Sequence, residues 1–293
     1  MESISPSLTG AGTIEVEAKA KAEVQATIVV KDIVYPFPYP VGIGIPYLVS
    51  EQGVLKQIRR KKVVIRHNTN GYEAVAFVGK NFALVPNELV EEMTEKAVTA
   101  YNLSMLKKSK DRYENTLRID LLSDRLAEVQ EGDIVQFGVS IRNSIDGTSC
   151  LAVDLFSYRL TCRNGATVKD TNLSFAVKHI GNPQEIVKAF HRALAEVMER
   201  FDDLLKLYRR MANTALTEEH ARRLLALKLP EMYYAHTGIR VRDDKVEVRE
   251  GTTLWYAFNG ITYVLTHRSR ASPLARSYMS HRLHRVMQAI VSA

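Results

Sequence analysis

Catalytic signatures are the first thing these 293 residues lack. There is no glycine-rich phosphate loop ending in Lys-Ser or Lys-Thr, no Gly-x-Gly-x-x-Gly, no His-Glu-x-x-His, no Gly-x-Ser-x-Gly and no Cys-x-x-Cys. The chain therefore reads as no enzyme, with no cofactor and no metal. Its two cysteines, Cys150 and Cys162, are too few for a disulfide scaffold or a four-thiolate zinc site, and reduced thiols suit a cytoplasmic address. No apolar run approaches the roughly 20 residues that cross a bilayer, and the opening MESISPSLTG lacks the basic start and apolar stretch of a secretory leader. The expectation is a cytoplasmic protein without a membrane partner.

Acidic residues are missing from one place. Between Gly251 and Ala293 there is none, while Arg268, Arg270, Arg276, Arg282 and Arg285 stand there with His267, His281 and His284. Over the whole chain the net charge is +7, so the excess is moderate and its distribution matters more than its size. A second basic cluster comprises Lys56, Arg59, Arg60, Lys61, Lys62 and Arg66, and a third, Lys107, Lys108, Lys110 and Arg112, closes the helical segment before it. A charge run is most often a solvated face, but three clusters, one of them free of acids, point toward a polyanion.

Apolar residues at 46% and charged residues at 25% are the proportions of a folded chain able to bury a core. Ile14 to Ile28 alternates apolar and polar as a half-buried strand does, although its alanine-rich middle also suits a helix. Pro36, Pro38 and Pro40 follow as an extended linker. Residues 1–40 thus read as an N-terminal arm, either docking on a neighbouring subunit or forming an edge strand of its own domain. Residues 41–293 read as a single α+β body whose basic helical tail spans 266–293. Asn70-Gly71 predicts a hairpin. Asn87 predicts a cap for a helix carrying Leu89, Met93, Ala97, Tyr101 and Met105 at four-residue spacing. Segments 115–122, 133–142, 150–161 and 172–178 predict an antiparallel meander. Asn182-Pro183-Gln184-Glu185 opens one long helix running to about Arg210. Three more follow, from Thr217 to Leu227, from Thr253 to His267 and, after Ser272, from Pro273 to Val291. The fold class is α+β: an antiparallel meander, a long packed helix and a helical C-terminal third, preceded by a strand-like arm.

One stretch is specific. Asn143, Ser144, Asp146, Gly147 and Thr148 are followed by Arg159, Leu160, Cys162, Asn164 and Gly165, then by Lys178, His179 and Gly181; later come Trp255, Asn259, Thr262, Tyr263 and His267. These boxes, in this order, resemble the phage, plasmid and prophage proteins of the domain-of-unknown-function family numbered 932, over roughly residues 74–290. The resemblance implies a mobile-DNA context and no mechanism. Read physically, Asn143 to Thr148 is a tight turn in which side chains bond their own backbone. Alternatively, Arg142, Arg159 and Arg163 form a cationic ridge on one side of the meander. Cys162 reads as a small buried group, and His281 with His284, at i and i+3, belongs to a basic helical face more readily than to a metal.

A meander followed by a capped helix, with basic clusters and no catalytic residues, also resembles the core of single-strand annealing proteins. The expectation is a non-enzymatic nucleic-acid-binding protein of a mobile element, for single-stranded DNA, acting as a homo-oligomeric ring or filament. Its expected contacts are Arg59, Arg60, Lys61, Lys62, Arg142, Arg159, Arg163, Arg268, Arg270, Arg276, Arg282 and Arg285, with stacking from Tyr158, Tyr263 or Trp255. Two alternatives remain: a self-assembling structural protein that binds no nucleic acid, and a metal-dependent nuclease using Asp120, Asp124, Asp146 and Asp154.

Overall fold

In the computed structural model of the chain, residues 14–19, 25–69, 71–160, 165–167, 174–243, 245–271 and 273–292 are described. The first six strands, β1 (Ile14–Lys19), β2 (Gln25–Val34), β3 (Val41–Val49), β4 (Leu55–Gln57), β5 (Lys61–Asn68) and β6 (Gly71–Gly79), make one antiparallel sheet. Its order is β1-β2-β3-β5-β6, with β4 paired on β3. The alternation expected to be one strand from Ile14 to Ile28 is therefore two. β1 folds back on β2 with Val16 opposite Ile28, and the residues between the two strands lie outside those described. A period of two carries no mark of a reversal when it continues through the turn.

β2 in turn pairs with β3, Val30 opposite Pro46, so the segment adds to the sheet of its own body. The prolines form a corner of successive bends at 36–40 instead of an extended linker, with the Tyr39 amide donating to the Phe37 carbonyl at 2.8 Å. The hairpin between β5 and β6 stands as expected, Asn68 opposite Gly71; Asn70 itself is outside the described residues. Val63 and Ile65 pack with Val30 on one face of this sheet, while Val64 and Val78 pack with Leu84 and Ile145 on the other. Because successive side chains alternate faces, apolar partners on both sides require the continuous run Val63-Val64-Ile65.

Helix α1 (Asn87–Ala100) is shorter than its four-residue repeat predicts. Asn102 takes a left-handed φ of 50°, and Leu103 starts strand β7 (Leu103–Lys110). Met105 is accordingly exposed on a strand, and Lys108 and Lys110, expected to close a helix, lie on β7 and pair with Glu91 of α1. Asn87 does not cap: the cap position is Pro86, and the buried Asn87 amide donates to the Glu114 carbonyl at 2.9 Å.

β7 is one edge of the central antiparallel sheet. β8 (Thr116–Gln130), β9 (Asp133–Ser144), β10 (Leu151–Arg159) and β11 (Gly165–Thr167) complete the order β11-β10-β9-β8-β7, and β12 (Ser174–Val177) also pairs with β10. The odd-numbered residues of β9, among them Val135, Phe137, Val139 and Ile141, face the main core. Across that core lie α2 (Pro183–Glu199) and α3 (Phe201–Asn213), which replace the single helix expected to Arg210 and meet at Arg200. Their apolar stripe survives the break, running from Phe190 and Leu194 to Phe201, Leu204 and Tyr208. The predicted cap holds, Asn182 Oδ1 accepting from the Gln184 amide at 2.9 Å.

The C-terminal third contains α4 (Glu218–Leu225), capped by Thr217, then a short 3-10 turn (Glu231–Tyr234) and a hairpin of β13 (Ile239–Arg242) and β14 (Lys245–Val248). Neither the turn nor this hairpin is predicted above. α5 (Leu254–His267) and α6 (Pro273–Val291) close the chain as expected; Ser272 lies outside the described residues. The fold is α+β. Among the described residues no helix is long and apolar enough to cross a membrane.

Candidate nucleic-acid interface

Helix α5 builds one side of a concavity. Thr253 caps it by accepting from the Tyr256 amide at 3.2 Å. Trp255, only 2% exposed, and Phe258 face inward, where Tyr208 lies 4.7 Å from Trp255, ring centre to ring centre. The Trp255 indole N–H donates to Asp133 Oδ2 at 2.6 Å, and Arg159 donates to the same oxygen at 2.7 Å. Asp133 is 3% exposed, so its charge is tolerated there because donors surround it.

Over this layer opens a pocket of about 340 Å³. Gln130, at the end of β8, and Arg159, at the end of β10, supply one side, and His236, just after the 3-10 turn, another. α5 supplies the rest through Tyr256, Asn259, Gly260 and Tyr263. Gly260 is required by contact: a Cβ there would lie 2.3 Å from the His236 carbonyl oxygen, so helix and turn touch backbone to backbone. Asn259 is oriented by its own helix, Nδ2 donating to the Trp255 carbonyl at 2.8 Å. Tyr263 is a hub of rings, with His236 at 5.5 Å edge-on and His267 at 5.0 Å.

Cations sit at the rim. The Arg268 guanidinium lies 5.5 Å from the centre of the Tyr263 ring, and that of Arg249 lies 4.7 Å from the centre of Tyr256, which is 43% exposed. Cations over rings at these distances are attracted by the ring quadrupole. Neither arginine forms an ion pair among the described residues. Arg249, His236, Gln130 and Asp133 were not expected from the sequence. Each is brought to the site by the β13–β14 hairpin, the 3-10 turn or strand pairing over long chain separation, and no local pattern marks it.

The expected contact residues do not gather at one place. Arg268 is at the pocket and Arg270 follows it, exposed. On α6, Arg282 and Arg285 share a stripe with the exposed Tyr278, Arg282 lying 5.8 Å from that ring's centre. Arg276, by contrast, falls on the side of Ser280, Leu283 and Met287, which faces the core. Arg59, Arg60, Lys61 and Lys62 are in the N-terminal sheet. That sheet meets the body where Arg66 donates to the Tyr113 carbonyl at 2.8 Å and to Asn115 at 2.9 Å. Those partners precede β8, whereas Gln130 ends it, so Arg66 and the pocket lie at opposite ends of that strand.

The cationic ridge is not formed. Arg142 stands opposite Ala152 and Arg159 opposite Val135, which puts the two arginines on opposite faces of the sheet. Each also has a carboxylate of its own, Arg142 with Asp154 at 2.6 Å and Arg159 with Asp133. Arg163, Cys162 and Asn164 lie outside the described residues. Of the expected stacking rings, Tyr263 lines the pocket, Trp255 is core, and Tyr158 is half-buried on the face away from Arg159.

Two of the sequence boxes meet elsewhere, as architecture. Asn143 Nδ2 donates to the Val85 carbonyl at 3.0 Å and to Asn87 at 2.8 Å, and Gly147, at φ 79°, packs against Phe82. His179 is buried on the same segment, its ring stacked 5.3 Å from Phe82 and its Nδ1 3.0 Å from the Ala83 carbonyl. Burial holds its pKa below the ordinary imidazole value, against the opposing pull of that hydrogen bond.

Among the described residues no three His, Cys, Asp or Glu side chains come together as a metal site would need. His284 is fully buried, so it belongs to the core side of α6 and not to a basic face. The four carboxylates considered for a nuclease have other partners: Asp120 with Arg118, Asp124 with Asn102, Asp154 with Arg142, and Asp146 with the Thr148 amide.

In comparison with known protein families, the one described as Domain of unknown function (DUF932) matches residues 74–289. No curated protein and no solved structure matches the chain.

Proposed function

The chain belongs to the DUF932 family, a domain of unknown function, and from that footing we propose that it is a non-enzymatic, oligomeric protein of a mobile genetic element that binds single-stranded DNA. The observation that carries this reading is the pairing of arginine with aromatic rings over the acid-free C-terminal segment: Arg268 with the half-buried Tyr263, Arg282 with the exposed Tyr278, and beside them Arg249 with the exposed Tyr256. Guanidinium groups meet phosphates and rings meet unstacked bases, which a duplex does not offer. For the oligomeric part, β1 stands at the end of the strand order and among the described residues pairs with β2 alone, the kind of position at which a strand of a second copy adds.

The test is a salt titration of oligonucleotide affinity. If arginines contact phosphates, log affinity falls linearly with log salt, at about −0.7 per contact on a single strand. Replacing Arg268, Arg270, Arg282 and Arg285 together by alanine flattens that slope. Affinity that is absent, or indifferent to salt, rejects the proposal.

Self-assembly without nucleic acid is the second reading, and one observation favours it. Leu126, Ile134 and Leu160 are exposed together where β8, β9 and β10 end, Leu160 donating its amide to the Ile134 carbonyl. An apolar patch of this kind suits a protein surface better than a phosphate chain.

A further inference from the structure

We propose that the pocket over Trp255 receives a single unstacked nucleobase of the bound strand, an inference that rests on the single-strand reading above and assigns the part of the strand this site takes. Its volume, about 340 Å³, is at the lower end of the range of small-ligand sites, large enough for one base with its sugar and too small for a stacked pair of nucleotides.

The lining matches a base in three respects. First, it offers rings: Tyr256 and Tyr263 are both on the pocket side of α5, seven residues and so about two turns apart, and His236 stands against Tyr263. Every base has a π-face, so such walls accept any of them. Second, it offers an oriented amide. Asn259 is 8% exposed and spends one Nδ2 hydrogen on the Trp255 carbonyl. Its Oδ1 accepts from no described residue, so an acceptor and a second N–H remain side by side. A donor next to an acceptor is what a base edge presents, and an amide fixed in advance loses little entropy on meeting it. Third, the charges are arranged for a nucleotide and not for a free anion. The deep cation, Arg159, is matched by Asp133, whereas Arg249 and Arg268 stand at the rim without ion pairs among the described residues, where a phosphate would lie once its base is inside.

The pocket is also rigid in the direction that matters. The backbone contact at Gly260 fixes α5 against the turn carrying His236, and Asp133 ties Trp255 to Arg159, so walls and floor exist before a ligand arrives.

The experiment uses the full chain and two labelled oligonucleotides of equal length, one with natural bases and one with abasic sugars throughout. Fluorescence anisotropy is recorded at fixed, low salt. The natural strand binds at least ten-fold more tightly, in keeping with the stacking of a base on an aromatic ring. Asn259→Ala and Tyr256→Ala each bring the natural strand toward the abasic affinity and leave the abasic strand unchanged; Tyr256 is exposed, so its variant folds if the Asn259 variant does not. Arg268→Ala weakens both strands alike. A free nucleoside monophosphate competes only at concentrations far above the strand's dissociation constant. Equal affinity for the two strands overturns the inference and leaves single-strand binding standing. Binding of the monophosphate as tightly as the strand overturns it too, and assigns the pocket to a free nucleotide. Binding of neither strand overturns this inference together with the reading on which it rests.

Discussion

Trp255 and Arg159, far apart in sequence, converge on one oxygen of a single buried carboxylate, Asp133 Oδ2, at 2.6 and 2.7 Å. The core of the C-terminal helices and the end of the central sheet are thereby joined through a charge. Trp255→Phe keeps most of the apolar volume and removes one donor to a charged acceptor, and we expect a loss of about 2 kcal/mol. Asp133→Ala takes the carboxylate away from both donors at once and costs more, about 3 kcal/mol. Urea denaturation of both variants checks the order; a costlier tryptophan variant would mean that packing, and not the carboxylate, holds the joint.

His179 is expected to make stability depend on pH. Its imidazole is held below the ordinary value of about 6.5, so on acidification the unfolded chain takes up the proton first. The contribution is complete above about 6.5 and is lost as pH falls from there toward the folded value. The thermal midpoint of the natural protein should therefore drop between pH 7 and 5 by more than that of His179→Asn, whose amide N–H can replace the contact with the Ala83 carbonyl. Parallel curves for the two proteins would contradict this.

Purified protein with magnesium or manganese should leave DNA and RNA uncut. A metal nuclease needs carboxylates free to converge on ions about 4 Å apart. Asp120 and Asp154 are instead held by Arg118 and Arg142, and Asp146 accepts from the Thr148 hydroxyl at 2.6 Å. Divalent-dependent cleavage, lost in both Asp120→Ala and Asp146→Ala, would reverse the assignment.

Deleting residues 1–40 removes β1, β2 and the proline corner. Val63 and Ile65 then lose Val30, so the N-terminal sheet should open while the pocket at the far end of β8 keeps its strand binding. Limited proteolysis, scored by cleavage between residues 41 and 79, is the readout. Protection equal to that of the full chain would show that β3, β5 and β6 need no cover.

Legibility in the sequence followed the range of the interaction. The starts of α2, α4 and α5 were readable because each capping side chain and the amide it serves are two or three residues apart. The hairpin of β5 and β6, the meander and the amphipathic stripe of α2 and α3 were readable for the same reason. The reversal between β1 and β2 was hidden because the alternation runs on through it. The end of α1 was hidden because apolar residues happen to continue at helical spacing into β7. The pocket was half legible: Asn259, Tyr263 and Arg159 belong to recognisable boxes, but Asp133 and His236 reach them only through tertiary contacts. Arg142 and Arg159 misled because sheet parity, and not proximity in the chain, decides which side of a sheet a charge occupies.

The contact at Gly260 limits how this protein can vary. With a carbonyl oxygen where any side chain would begin, α5 can neither slide nor rotate against the His236 turn without parting from it. A change in the shape of the pocket is therefore made most readily by exchanging lining side chains such as Tyr256, Tyr263 and Gln130 on an unmoved frame.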